Sequence, residues 1–117
     1  MVNKSAVLDI VIVNYNSSNL LLNCLNSFNG SFKTIPANIF IQDNNSTDDF
    51  DIIEQCFPNI QIQRNNANLG FSKANNKALS QGFAPYILLL NPDTQFINSR
   101  IKEVINYMEE NPKIGII

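Results

Sequence analysis

Tyr86-Ile87-Leu88-Leu89-Leu90 is an unbroken apolar run that stops abruptly at Asn91-Pro92-Asp93-Thr94. A run without polar alternation is what a strand buried on both faces needs, because helices cover both sides of a parallel sheet. Pro92 has no N–H to give to a ladder and Asp93 carries a charge, so the strand ends where side chains meet a cleft or water. In open α/β sheets, ligands bind beyond the carboxyl ends of the strands. Asp93 is therefore a candidate site residue. The same four residues also suit a plain turn, and this stretch alone does not separate the two readings.

The rest of the chain repeats the pattern. Leu8 to Val13 is rich in β-branched residues and predicts a first strand, ending at Asn14-Tyr15-Asn16. Ser17 or Ser18 then caps a helix with Leu20, Leu21, Cys24, Leu25 and Phe28 on one buried face, ended by Asn29-Gly30. A second strand is expected over 38–42, followed by Asp43-Asn44-Asn45-Ser46-Thr47-Asp48-Asp49. Asp48 or Asp49 would cap the next helix, with Ile52, Ile53, Cys56 and Phe57 inward and Pro58 at its end. A short third strand covers 60–63. A polar loop to Gly70 leads into a helix over 71–81 with Ala74, Ala78 and Leu79 inward and Gly82 as C-cap. After the apolar run, Asn98 or Ser99 caps a helix striped with Ile101, Val104, Ile105 and Met108. Residues 113–117 look like the start of one more buried strand, which predicts the front part of a longer protein. The alternation βαβαβαβαβ demands a mostly parallel sheet with right-handed crossovers and helices on both faces. The expectation is a three-layer α/β/α architecture, one incomplete domain over 1–117.

Composition removes several chemistries. The chain has no histidine, which excludes Ser-His-Asp and Cys-His catalysis and His-ligated metal sites within it. Cys24 and Cys56 lack any Cys-x-x-Cys spacing and read as buried free thiols. Acid–base or metal chemistry must rest on Asp and Glu. A net charge of −2 with scattered basic residues leaves no footprint for nucleic acid. Val7 to Val13 is too short to span a bilayer and contains Asp9, and no signal peptide is visible, so the cytoplasm is the expected compartment. No glycine precedes Gly30, so the first βα turn is not a dinucleotide cradle, and the P-loop pattern is absent. Asn14-Tyr15-Asn16 lacks the acidic residues of a phosphate receiver, and 14–18 lacks the Gly-rich basic loop of a nucleotidyltransferase.

Four stretches, in order and at fitting spacing, resemble family 2 glycosyltransferases of the GT-A fold. Val11-Ile12-Val13-Asn14-Tyr15-Asn16 resembles the family's opening strand and T/N-Y-N. Asp43-Asn44-Asn45-Ser46-Thr47-Asp48 resembles its D-[DN]-x-S-x-D turn. Asn68-Leu69-Gly70-Phe71 through Asn75-Asn76-Lys77-Ala78-Leu79 resembles its N-x-G-F…N-x-G/A-L segment. Leu89-Leu90-Asn91-Pro92-Asp93-Thr94 resembles the L-N-P-D-T form of its metal-binding strand end, frequent among rhamnosyltransferase-like members.

The resemblance implies a donor site for a nucleotide-diphospho-sugar, UDP- or dTDP-linked, and inverting transfer to a glycan or lipid-linked acceptor in cell-wall or polysaccharide synthesis. Asn14, Tyr15, Asn16, Asp43, Asn68, Gly70, Asn76, Asn91 and Asp93 are the implied donor-binding residues. Asp93 would hold Mg²⁺ or Mn²⁺, with Asn91 standing where the family commonly has an acid and bringing no charge. Asp43 would accept from the imide N–H of uracil or thymine, or else serve as a turn carboxylate. Asp48 is expected to cap a helix rather than touch ligand. Tyr15 either packs on the base or ribose or is a half-buried packing residue. Asn75 stands where some members carry Arg, and Lys73 and Lys77 read as solvated helix surface. The family's general base, an acid beyond the metal motif, has no counterpart here, because Glu103, Glu109 and Glu110 read as helix surface. The fragment alone is then expected to be inactive. The alternative is a non-catalytic nucleotide-binding or interaction module. The full-length protein is expected to meet the membrane peripherally, and the fragment to self-associate through an uncovered edge.

Overall fold

The computed structural model describes residues 2–28, 30, 32, 34–98 and 100–117. Strands and helices alternate as β1 (Leu8–Asn14), α1 (Ser18–Asn26), β2 (Ala37–Asp43), α2 (Asp51–Cys56), β3 (Gln61–Arg64), α3 (Phe71–Leu79), β4 (Tyr86–Leu90) and α4 (Ile101–Glu110). The four strands pair in parallel in the order β3-β2-β1-β4. The chain thus steps outward from β1 to β3, then returns to the other side of β1. That reversal is the switch point where such sheets open a crevice. Asn14 is opposite Asp43 and Ile12 is opposite Leu90, so β1, β2 and β4 end at one edge.

Side-chain alternation divides the core. Leu8, Ile10 and Ile12 of β1 pack with Leu21, Cys24 and Leu25 of α1, Ile53 of α2 and Ile105 of α4. Each fully buried aliphatic side chain there contributes roughly 1.5–3 kcal/mol relative to exposure. The opposite face is thinner: Val11 and Phe40 meet Ala78 of α3. α3 lies over β1 and β2. Ile87 and Leu89, in register with Asp9 and Val11 on that face, are 52% and 49% exposed. The expectation that the apolar run is buried on both faces therefore fails. β4 is the edge strand, and the helix that should cover it sits one strand away.

Other local expectations are also corrected. Residues 114–117 form no strand, because apolar residues make one only where a ladder partner is in reach, and this segment pairs with none; Ile116 is 92% exposed. Leu20 is exposed, and Leu22 packs against the core in its place. α2 is only 6 residues long and buries Ile53 alone, so Cys56 lies outside while Cys24 is buried as expected. Neither Asp48 nor Asp49 caps α2, whose N-cap is Phe50. Arg100 stands at the N-cap of α4 and makes no side-chain cap bond, Asn98 makes none to the described residues, and Ser99 and Asn29 lie outside the described residues. α3 ends at Leu79 with Ser80, not Gly82, as its C-cap. Gly82 is needed for a different reason: a Cβ there would clash with Asp9 Oδ2. The Asp9 carboxylate is buried within β1, where it accepts hydrogen bonds from Asn38 Nδ2 and the Ala84 N–H, both at 2.9 Å.

Candidate functional site

The strand-end edge is built first from the loops after β1 and β2. Asn14 and Asp43, paired across the sheet, are both buried. Asn14 Nδ2 donates to Asp43 Oδ1 at 2.9 Å and to Ser46 Oγ at 3.3 Å. Ser46 closes the turn, its hydroxyl donating to Asp43 Oδ1 at 2.6 Å and its N–H to Oδ2 at 3.0 Å. Three donors thus orient the Asp43 carboxylate, and a carboxylate has about four acceptor positions. Asn16 takes a left-handed backbone (φ 47°), as asparagine tolerates better than most residues. Its N–H donates to Ser46 Oγ at 2.9 Å, and its Oδ1 accepts from the Thr47 N–H at 2.7 Å. Between these locked residues Tyr15 projects, 51% exposed. Asn14 Oδ1 is the one buried side-chain polar atom without a partner among the described residues.

Asp48 completes the clasp. Its carboxylate accepts from the Ser18 N–H and the Ser18 hydroxyl, each at 2.8 Å. It is a helix cap, as expected, but for α1 rather than for the helix next to it in sequence. α1 has no acidic residue in its first turn, and Ser17, the N-cap residue, turns its hydroxyl to the Tyr15 carbonyl. Asp48 therefore supplies from another loop the negative charge that a helix N-terminus favours.

A second polar network lies toward β3. Asn65 donates through Nδ2 to Gln42 Oε1 (3.1 Å) and Asn44 Oδ1 (3.2 Å), while its Oδ1 accepts from Lys77 Nζ at 2.6 Å. Asn44 Nδ2 reaches the Gly70 carbonyl at 3.3 Å. Gly70 begins α3 at φ 77°, a conformation that suits glycine, and donates its N–H to Asn68 Oδ1 at 2.9 Å. Lys77 is exposed yet tethered at its ammonium group, which corrects its reading as simple solvated surface. Asn75 is buried and bonds the Phe71 carbonyl; Asn76 is exposed.

At the end of β4, the Asn91 carbonyl accepts from the Thr94 N–H (3.3 Å) and hydroxyl (2.8 Å), so Asn91-Pro92-Asp93-Thr94 is a hydrogen-bonded turn. It is a turn and a strand end at once. The Asp93 carboxylate is exposed and has no hydrogen-bond or ion-pair partner among the described residues. Thr94 Oγ1 lies 3.8 Å from Cys24 Sγ, and burial pushes the Cys24 thiol up from its ordinary pKa, with Asp93 adding to the rise and the Thr94 contact opposing it. No three acidic or thiol groups cluster among the described residues. A cation at this edge would have Asp93 as its one carboxylate and Asn91 as a neutral oxygen donor. That set fits a hard divalent ion completed by phosphate oxygens and water. No described helix is long and apolar enough to cross a membrane.

The edge thus joins Asn14, Asn16 and Asp43 directly, with Asn68 and Gly70 linked through Asn44. Asn91 and Asp93 reach it by the register of β4. Sequence reasoning gave no role to Ser46, Asn44 and Asn65 and read Lys77 as surface. Ser46 stood inside a quoted motif and was legible there. Asn44 stood in the same motif, whereas Asn65 was hidden by the abundance of asparagine in the chain.

The sequence pattern described as Glycosyl transferase family 2 matches residues 9–117. Among curated proteins, none matches the chain. Several solved structures share its fold. S. aureus TarS superposes with a TM-score of 0.75 at 21% identity, over 90% of this chain and 20% of TarS. TarS 1-349 in complex with UDP-GlcNAc gives 0.74 at 23% identity, over 88% of this chain and 31% of that one. The mannosyltransferase PcManGT from Pyrobaculum calidifontis, in complex with GDP-Man and Mn²⁺, gives 0.74 at 13% identity, over 92% and 34%. The chain therefore spans a fifth to a third of the length of these proteins.

Proposed function

The chain belongs to glycosyl transferase family 2, and from that premise we propose that its strand-end edge binds a nucleotide-diphospho-sugar, UDP- or dTDP-linked, as donor for inverting transfer to a glycan or lipid-linked acceptor. The observation that carries this reading is the convergence of Asn14, Asp43 and the unpartnered Asp93 on one edge at the topological switch point. The fold likeness to proteins solved with UDP-GlcNAc and with GDP-Man and Mn²⁺ supports it.

Asp43 keeps one acceptor position on Oδ2, suited to a base N–H. Exposed Tyr15 offers a flat apolar surface over which a base or ribose could pack. Gly70, without a side chain at the start of α3, lets the donor approach backbone. Asp93, with Asn91, would hold a divalent cation such as Mg²⁺ or Mn²⁺, which neutralises charge on the departing diphosphate. The acceptor hydroxyl needs a base, and the acids after Asp93, namely Glu103, Glu109 and Glu110, all lie exposed on α4. Glu103 pairs with Arg100 at 3.3 Å, and Glu109 lines a cleft with Val7 and Pro36 at the opposite, amino end of the strands. Residues 1–117 then bind donor without supplying the base for transfer.

Calorimetric titration with UDP and dTDP, with and without Mn²⁺, tests this reading. It predicts binding that Mn²⁺ tightens, with the Mn²⁺ effect abolished in Asp93→Ala. Absence of binding to either nucleotide would refute it.

A further inference from the structure

Asp93 has no bond of its own, so the turn that carries it must be held by its neighbours. Those neighbours dock on the second half of α1. The Thr94 hydroxyl gives its single proton to the Asn91 carbonyl, which leaves the Cys24 thiol as donor in the 3.8 Å contact with Thr94 Oγ1. Two residues on, the Phe96 N–H donates to Ser27 Oγ at 3.0 Å, and the Ser27 hydroxyl donates to the Cys24 carbonyl. The Phe96 ring then joins Phe28 and Phe32 in an edge-to-face triangle with centroids 5.1 to 5.3 Å apart. These are favoured aromatic geometries. At its other end α1 is fixed by Asp48 to the loop after β2. One short helix therefore spans between the loop that follows Asp43 and the turn that carries Asp93.

We propose that Thr94 and Phe96 are positioning residues: by docking the β4 turn on α1, they set the Asp93 carboxylate where it can share a divalent cation with a nucleotide diphosphate. This rests on the donor-site reading given above. Neither residue touches the donor. Both act by removing freedom from a carboxylate that is otherwise untethered, so that binding does not have to order it. Metal-dependent nucleotide affinity should then depend on them, and metal-free affinity, which draws on the Asn14–Asp43 side, should not.

The test measures the UDP dissociation constant with and without Mn²⁺ for the wild-type chain, Thr94→Val, Thr94→Ser and Phe96→Ala. Thr94→Val keeps the shape and removes the hydroxyl, so its Mn²⁺-dependent tightening should fall about three- to tenfold, the worth of one or two hydrogen bonds. Its metal-free dissociation constant should stay within about twofold of wild type, inside the effect of one weak hydrogen bond. Thr94→Ser should restore the tightening, and Phe96→Ala should reduce it in the same direction. If Phe96→Ala loses its fold by circular dichroism, the valine and serine pair decides. Wild-type tightening in Thr94→Val, or an equal loss of metal-free and Mn²⁺-dependent affinity, would overturn the positioning role alone. A wild-type chain whose UDP affinity ignores Mn²⁺ would overturn the donor-site reading, and the positioning role with it, before any variant is compared.

Discussion

Asp48 joins two loops through one carboxylate, accepting the first N–H of α1 and the Ser18 hydroxyl. Replacing it with alanine removes the charge and leaves the helix start uncapped. Asp48→Ala is expected to lower stability by about 1 kcal/mol in urea unfolding, with Asp48→Asn retaining most of that. An unchanged midpoint in the alanine variant would mean that the cap is not made in solution. The identity of Asp48 as a cap was legible from its residue type, but its helix was not, because a cap from a distant loop leaves no sequence-local pattern. Asp43 is similar. A turn carboxylate and a ligand contact were alternatives on paper, and three internal donors on a group with about four acceptor positions leave room for both.

At the scale of elements, α3 is tied to β1 by a contact that no pattern announces. Gly82 follows the helix, where a left-handed C-cap was the natural expectation. Its side with no Cβ instead faces the buried Asp9 carboxylate. Gly82→Ala should therefore displace a carboxylate already bonded to Asn38 and Ala84, and cost about 1–3 kcal/mol. Thermal or urea unfolding checks this, and a neutral or stabilising alanine would contradict it. Strand and helix types were legible throughout because apolar spacing is a local property. Burial was less so. The run Ile87-Leu88-Leu89 looks two-sided in sequence, yet Ile87 and Leu89 are half exposed because coverage depends on where α3 lands.

Across the whole molecule, the order β3-β2-β1-β4 sets the ends of β1, β2 and β4, which carry three of the four motifs, side by side at one edge. Parallel strands with helical crossovers bring every strand's carboxyl end to one side, and the reversal at β1 puts the switch point there. The parallel sheet followed from the alternation of elements; the strand order did not, because alternation leaves open on which side of β1 each later strand lands. The polar bracing did not: Asn44, Asn65 and Lys77 meet only in three dimensions. The central claim is that a donor nucleotide and a divalent cation meet at Asp93. Paramagnetic broadening of amide NMR signals by Mn²⁺ in the presence of UDP tests it most directly. The prediction is broadening centred on Asn91, Asp93 and Thr94, spreading to the ends of β1 and β2, and absent in Asp93→Ala. Broadening centred on the α4 glutamates, or a spectrum that UDP and Mn²⁺ leave unchanged, would contradict it.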